Sequence, residues 1–147
     1  MDLGGGRMRV WLYVALLFAW VSTATAAGPP SGHTDALPWF KNSFLDLPED
    51  LAEAKKRGKR LILYFHQDGC PYCAKLLRDN FGQREIVLAT QRDFDVIGIK
   101  LWGDRPVIDF SGHGVSAKEF SANLKVMFTP TLLFLKTASE VVMRING

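Results

Sequence analysis

The chain has 147 residues, 48% hydrophobic and 22% charged, enough for one domain with a real core. Its formal charge of +3 is too small and too evenly spread for a nucleic-acid footprint. A single pair of cysteines, Cys70 and Cys73, excludes a disulfide-stapled mini-protein, so a core must hold the fold.

The chain opens with Arg7 and Arg9, an apolar run from Val10 to Val21, and Ala24-Thr25-Ala26. That is the pattern of a secretory signal peptide over residues 1–26. The apolar run falls short of the ~18 residues expected of a spanning helix, so the expectation is cleavage and a soluble, monomeric mature form. Export to an oxidising compartment would favour a disulfide between two neighbouring thiols. Residues 27–37 are rich in Gly, Pro and Ser and read as a flexible lead-in to a domain over 38–147. Trp39, Phe40, Phe44 and Leu45 are expected to pack at the edge of that domain.

The stretch 46–58 predicts a helix with defined ends. Asp46 is the expected N-cap with Glu49 in capping-box spacing, and Pro48 sits in the first turn, where no N–H is needed. Gly58 stops it, and the basic run KKRGKR at 55–60 complements its dipole. RLILYF, 60–65, reads as a buried central strand. CAKLLRDNF, 73–81, predicts a helix with Cys73, Leu76, Leu77 and Phe81 on one face, and 84–92 a further helical turn or two. DVIGIKL, 95–101, is a second strand, 102–114 a long loop or hairpin, and 117–128 a short helix. PTLLFLK, 130–136, a turn at TASE and an alternating strand over 141–145 complete the order. Alternating strands and helices imply an α/β domain, a mixed sheet flanked by helices. The sequence stops directly after the last strand, and the expectation is a sheet whose final covering helix is missing.

Four chemistries suit a C-x-x-C pair, and each demands something further. A structural zinc needs four ligands, and His33, His66 and His113 form no second ligand pair in sequence. A c-type haem needs His at 74, where Ala stands. A structural clip across two residues removes little unfolded-state entropy. Thiol exchange fits a pair at a strand-to-helix junction. Cys70 lies at a helix N-terminus, where unpaired N–H groups favour the thiolate, and Cys73 lies one turn in to resolve a mixed disulfide.

CPYC at 70–73, followed about sixty residues later by FTPTLLFL, resembles the thioredoxin superfamily over residues 38–147. The resemblance implies a thioredoxin fold, a redox-active Cys70–Cys73 disulfide, and a cis-proline at Pro130. Pro130 would expose the Thr129 backbone to a substrate peptide. The signal peptide, the segment WGDRPVIDFSGHG and the Thr-Pro-Thr strand resemble the exported SoxW-type thioredoxins. The implied activity is thiol–disulfide exchange on periplasmic proteins, most simply their reduction, with no cofactor beyond the dithiol and a membrane thiol carrier as electron donor. An oxidase that inserts disulfides, a glutathione-linked enzyme suggested by Pro71-Tyr72, and a non-enzymatic module with a structural CxxC stay open. Thioredoxins carry a buried Asp where this chain has Tyr64, and Trp where it has Gly69. Proton handling must therefore differ, with His66 and Asp68 as candidates. Pro71 and Tyr72 are expected to shape the rim against which substrates sit.

Overall fold

The computed structural model describes residues 36–136 and 140–147. The expected signal peptide, most of the lead-in with His33, and most of the turn at TASE lie outside these residues. Strand β1 (Arg60–His66) is central. It pairs parallel with β2 (Phe94–Lys100) and antiparallel with β5 (Thr131–Leu135), which pairs antiparallel with β6 (Val141–Asn146). Among the described residues the sheet order is therefore β2-β1-β5-β6. The parallel β1/β2 pair requires a crossover. It is supplied by α2 (Pro71–Asp79) and α3 (Arg84–Asp93).

The period of two along β1 divides the core into two layers. Leu61, Leu63 and Phe65 point to one face, with Leu133 and Leu135 of β5 and Ile97 and Ile99 of β2. Leu47 and Ala54 of α1 (Leu47–Lys56) and Ala117 and Phe120 of α4 (Ala117–Asn123) cover that face. Ile62 and Tyr64 point to the other face with Val96 and Leu132, under Cys73 and Leu77 of α2 and under Phe40 and Phe81. Both faces being covered explains why Leu61 to His66 are all buried, as the unbroken apolar run predicts.

The ends of α1 follow the sequence. Asp46 Oδ1 accepts from Glu49 N at 3.0 Å. Gly58, at φ +70°, ends the helix with its N–H on Lys55 O and Lys59 N on Ala54 O. Three expectations are corrected. Helix α2 begins at Pro71, with Cys70 at its N-terminus as expected, but ends at Asp79 rather than at 81, so Phe81 packs from the following turn. The helix expected over 117–128 stops at Asn123. Lys125 takes φ 55°, its N–H bonds Ala122 O, and Val126 N bonds Ser121 O. This is the paired closure that glycine usually provides, and a lysine in that role leaves no sequence signal.

The third correction is Phe44, expected to pack but 91% exposed. Its neighbours hold it out. Leu45 is buried at φ 64°, its N–H bonds Ser43 Oγ, and its carbonyl accepts from Ile108 N. Ile108 belongs to β3 (Pro106–Ile108), which pairs with β4 (Gly114–Ser116), so the segment expected as loop or hairpin contains a short antiparallel ladder. The approach to α1 is pinned by Lys41, whose Nζ lies 2.6 Å from buried Asp50 and 2.7 Å from Glu53. Burial works against the Lys41 charge, but hydrogen bonds to the two carboxylates outweigh it and hold the ammonium above its ordinary value.

Candidate functional site

The site lies where β1 gives way to α2. Gly69, at φ +67°, turns the chain from strand to helix, a conformation that a residue with a Cβ adopts only at a cost. Cys70 is the N-cap, in extended conformation, and Pro71 occupies the first turn, where no N–H partner is required. Cys70 and Cys73 form a disulfide with their Cα atoms 5.2 Å apart.

Both cysteines are buried, at 8% and 5% exposure, so access alone barely separates them. Their hydrogen bonding does. The Cys73 N–H donates to Cys70 Sγ at 3.1 Å, and the Thr129 hydroxyl lies within reach at 3.4 Å. Two donors converging on one sulfur, at the positive end of a helix, are what a thiolate requires. Cys73 lies in the apolar layer with Tyr64, Phe40, Leu77 and Leu132, the layer that also holds Cys70.

Thr129 reaches the cysteines from the loop before β5. Its carbonyl oxygen lies 3.7 Å from Cys70 Sγ, and its bond to Pro130 is cis. The loop is tied at two points: Thr131 Oγ1 donates to Phe128 O at 2.8 Å, and Gly147 N donates to Pro130 O at 2.8 Å. In the reduced protein, replacing Thr129 by valine removes one donor to the Cys70 thiolate at nearly constant volume. A hydrogen bond to a charged group is worth about 1.5–3 kcal/mol, so the Cys70 pKa should rise by roughly one unit or more. Alkylation rate against pH reads this directly; an unchanged midpoint would remove Thr129 from the site.

The proton-handling candidates separate. Asp68 is exposed and paired with Lys100 Nζ, 2.5 Å away, so its charge is offset near Cys70. His66 is buried and stacked on Tyr64 with centroids 5.4 Å apart. Its ring borders a cavity of about 390 Å³ that Leu37, Lys41, Ser43, Gly98 and Arg105 also line. Tyr64, fully buried, shares the apolar layer with both cysteines. Pro71 and Tyr72 are exposed on the outer side of the helix start.

Sequence reasoning missed three residues at this face. Trp102 is half-exposed, with its Nε1 donating to Gln67 Oε1 at 3.1 Å, three residues before Cys70. Met127 and Phe128 are exposed just before Thr129. The available signal was position: an aromatic directly after a strand end, and an aromatic beside the Thr-Pro pair. Neither spacing separates a rim residue from a core residue.

A family model described as a thioredoxin-like domain matches residues 47–147. No curated protein sequence matches significantly. Among solved structures, a thioredoxin from Thermus thermophilus is similar at 25% identity and TM-score 0.54, covering 69% of this chain and 72% of that one. A thioredoxin-fold protein from Helicobacter pylori is similar at 19% identity and TM-score 0.56, covering 78% and 69%. A protein described as DsbH oxidoreductase is similar at 19% identity and TM-score 0.53, covering 82% and 83%. The last two likenesses speak for the fold alone.

Proposed function

This chain belongs to the thioredoxin-like domain family, and from that premise we propose that it is an exported thiol–disulfide oxidoreductase that reduces disulfides of periplasmic proteins. The observation that carries the reading is the Cys70–Cys73 disulfide at a helix N-terminus, with Cys73 N–H and the Thr129 hydroxyl converging on Cys70 Sγ.

In the reduced protein the Cys70 thiolate attacks one sulfur of a substrate disulfide. A Cys70–substrate bond forms, and the first substrate thiolate leaves and takes up a proton. Cys73 then gives up its proton and attacks Cys70 Sγ. The Cys70–substrate bond breaks, the second substrate thiolate departs, and the Cys70–Cys73 disulfide closes. Two electrons have passed from the dithiol to the substrate. Thr129 and Pro130 position the substrate backbone, and Pro71 and Tyr72 form the rim beside it. His66, buried and stacked on Tyr64, is our candidate for handling the Cys73 proton; Asp68, paired with Lys100, is left a charge-balancing role. A membrane thiol carrier restores the dithiol. The signal-peptide pattern and the inserted hairpin support a SoxW-type role for a soluble, monomeric mature form.

A redox titration of the purified domain tests direction, with Cys70 alkylation against pH as companion. A potential near thioredoxin's, about −270 mV, fits a reductase, and one near −120 mV makes the protein an oxidase instead. A Cys70 pKa at or above the free-thiol value of ~8.5 would sink the mechanism.

A further inference from the structure

We propose that the end of the sheet opposite Cys70 is a docking surface for anionic phospholipid bilayers, an inference that stands apart from the redox chemistry. Strand β1 runs from Arg60 at this end to His66, which leads to Cys70. Four segments that start or stop at the Arg60 end bring cations. Helix α1 ends in Lys55 and Lys56, with Arg57 as its cap. Lys59 precedes β1 and Arg60 opens it, while Arg92 lies in the last turn of α3, which runs into Phe94 opposite Arg60. Lys136 follows Leu135, the partner of Leu61. The acids here are Asp93, held by Arg92 at 2.8 Å, buried Asp95, shared by Arg57 at 2.5 Å and Lys59 at 3.3 Å, and Glu140. That is seven cations against three acids, whereas the other described residues hold nine cations against ten acids. The small net charge of the chain therefore conceals a polarised molecule, positive at one end of the sheet and close to neutral elsewhere. Helix dipoles answer for the cations at the ends of α1 and α3. They do not answer for Lys59, Arg60 and Lys136, which begin or follow strands. Arg60 is laid over the Phe94 ring, 4.3 Å from its centroid, which keeps its guanidinium at this end.

The occupant follows from the kind of charge and its company. Four of the seven cations are lysines, compact point charges without the fork geometry that singles out one phosphate or carboxylate. They stand on separate segments, so their common partner is a field of anions broader than one ligand. Strand β6 starts at this end, and its Val142 and Met143 are half exposed. Cations interleaved with exposed aliphatics fit a bilayer surface, where headgroup charge lies beside hydrocarbon. An acidic polypeptide would match the charge but not the aliphatics. Docked in this way, the protein points Cys70 away from the lipid, because β1 at ~3.3 Å per residue sets the two ends about 20 Å apart.

The test is sedimentation with vesicles of phosphatidylcholine, alone or with one-third phosphatidylglycerol. It uses the full chain and, beside it, the form beginning at Ala27, so that the apolar run at 10–21 is not mistaken for the basic end. Both core layers are built from residues after Ala36, so the shorter form keeps the whole core. The shorter form should bind the anionic vesicles about tenfold or more tightly than the neutral ones at low salt, and lose that preference in about 0.5 M salt. The double substitution K56E/K136E should weaken anionic binding by about tenfold or more in both forms. R84E/K118E, the same change in net charge at exposed positions away from this end, should change it less than twofold. Thermal melts by circular dichroism confirm that the variants fold. Equal binding to both vesicles, binding that survives high salt, or an equal loss in R84E/K118E would overturn the inference. So would binding to soluble polyglutamate without binding to vesicles, which would assign the surface to an acidic protein. None of these outcomes touches the oxidoreductase reading, which the redox titration tests by itself.

Discussion

Replacing Cys73 by serine should turn the protein into a covalent trap. Cys70 keeps its N-cap position and the Thr129 hydroxyl beside its sulfur, so it still attacks a substrate disulfide. The hydroxyl at 73 cannot take over, because a serine alcohol is far less acidic than the thiol and forms no disulfide. Exchange therefore stops at one substrate thiol per protein, visible as a single adduct by intact mass spectrometry and released by dithiothreitol. Replacing Cys70 by serine should instead abolish both adduct and turnover, a loss on the order of 10³-fold or more, the scale on which removal of a nucleophile is felt. The two substitutions together assign the roles. If the Cys70 variant forms the adduct and the Cys73 variant does not, the order of attack derived from the hydrogen bonding is reversed.

Truncating Phe65 to alanine should cost more stability than any substitution at the surface. Phe65 is fully buried on the central strand, opposite Thr131 and stacked against Phe120 of α4. Removing its ring empties the middle of one core layer, and Phe→Ala changes at such positions cost about 3–5 kcal/mol. Against a total of about 5–15 kcal/mol for a domain, that is roughly a fifth of the stability or more. Denaturant unfolding should show the midpoint falling with its slope retained. Phe65 also leads into His66 and the turn to Cys70, so the variant should react more slowly even where it is folded. Phe44→Ala is the counter-case: 91% exposed, it should leave the midpoint almost unmoved. A drop at Phe44 comparable with that at Phe65 would contradict the packing described here.

Those two phenylalanines show what a linear reading of this chain can and cannot reach. Phe65 lies in an unbroken apolar run, and such a run has one comfortable environment, a strand covered on both faces. Phe44 stands between Ser43 and Leu45 in a mixed stretch, and the left-handed Leu45 and the hydrogen bonds that hold it turn Phe44 outward. That conformation depends on Ile108, sixty-three residues away along the chain. The early end of α4 has a similar origin, since Lys125 takes a role that glycine usually announces.

The candidate site divides along the same line. The CxxC pair, its place at a strand-to-helix junction, the N-cap at Asp46 and the αβ order are local properties, written in residue types and spacings of a few positions. From them the sequence by itself determined the fold class, the paired cysteines and the motif containing Thr129 and Pro130. The tertiary structure alone decided which groups reach those sulfurs. Thr129 and Cys70 are fifty-nine residues apart, and only the β1–β5 pairing brings the hydroxyl to 3.4 Å. Asp68 is matched with Lys100, and Trp102 with Gln67 three residues before Cys70, through the parallel β1–β2 register. Backbone preferences act over one turn or one strand and can be read in order along the chain. Contacts between elements are set by register and packing, and those exist only once the sheet has formed.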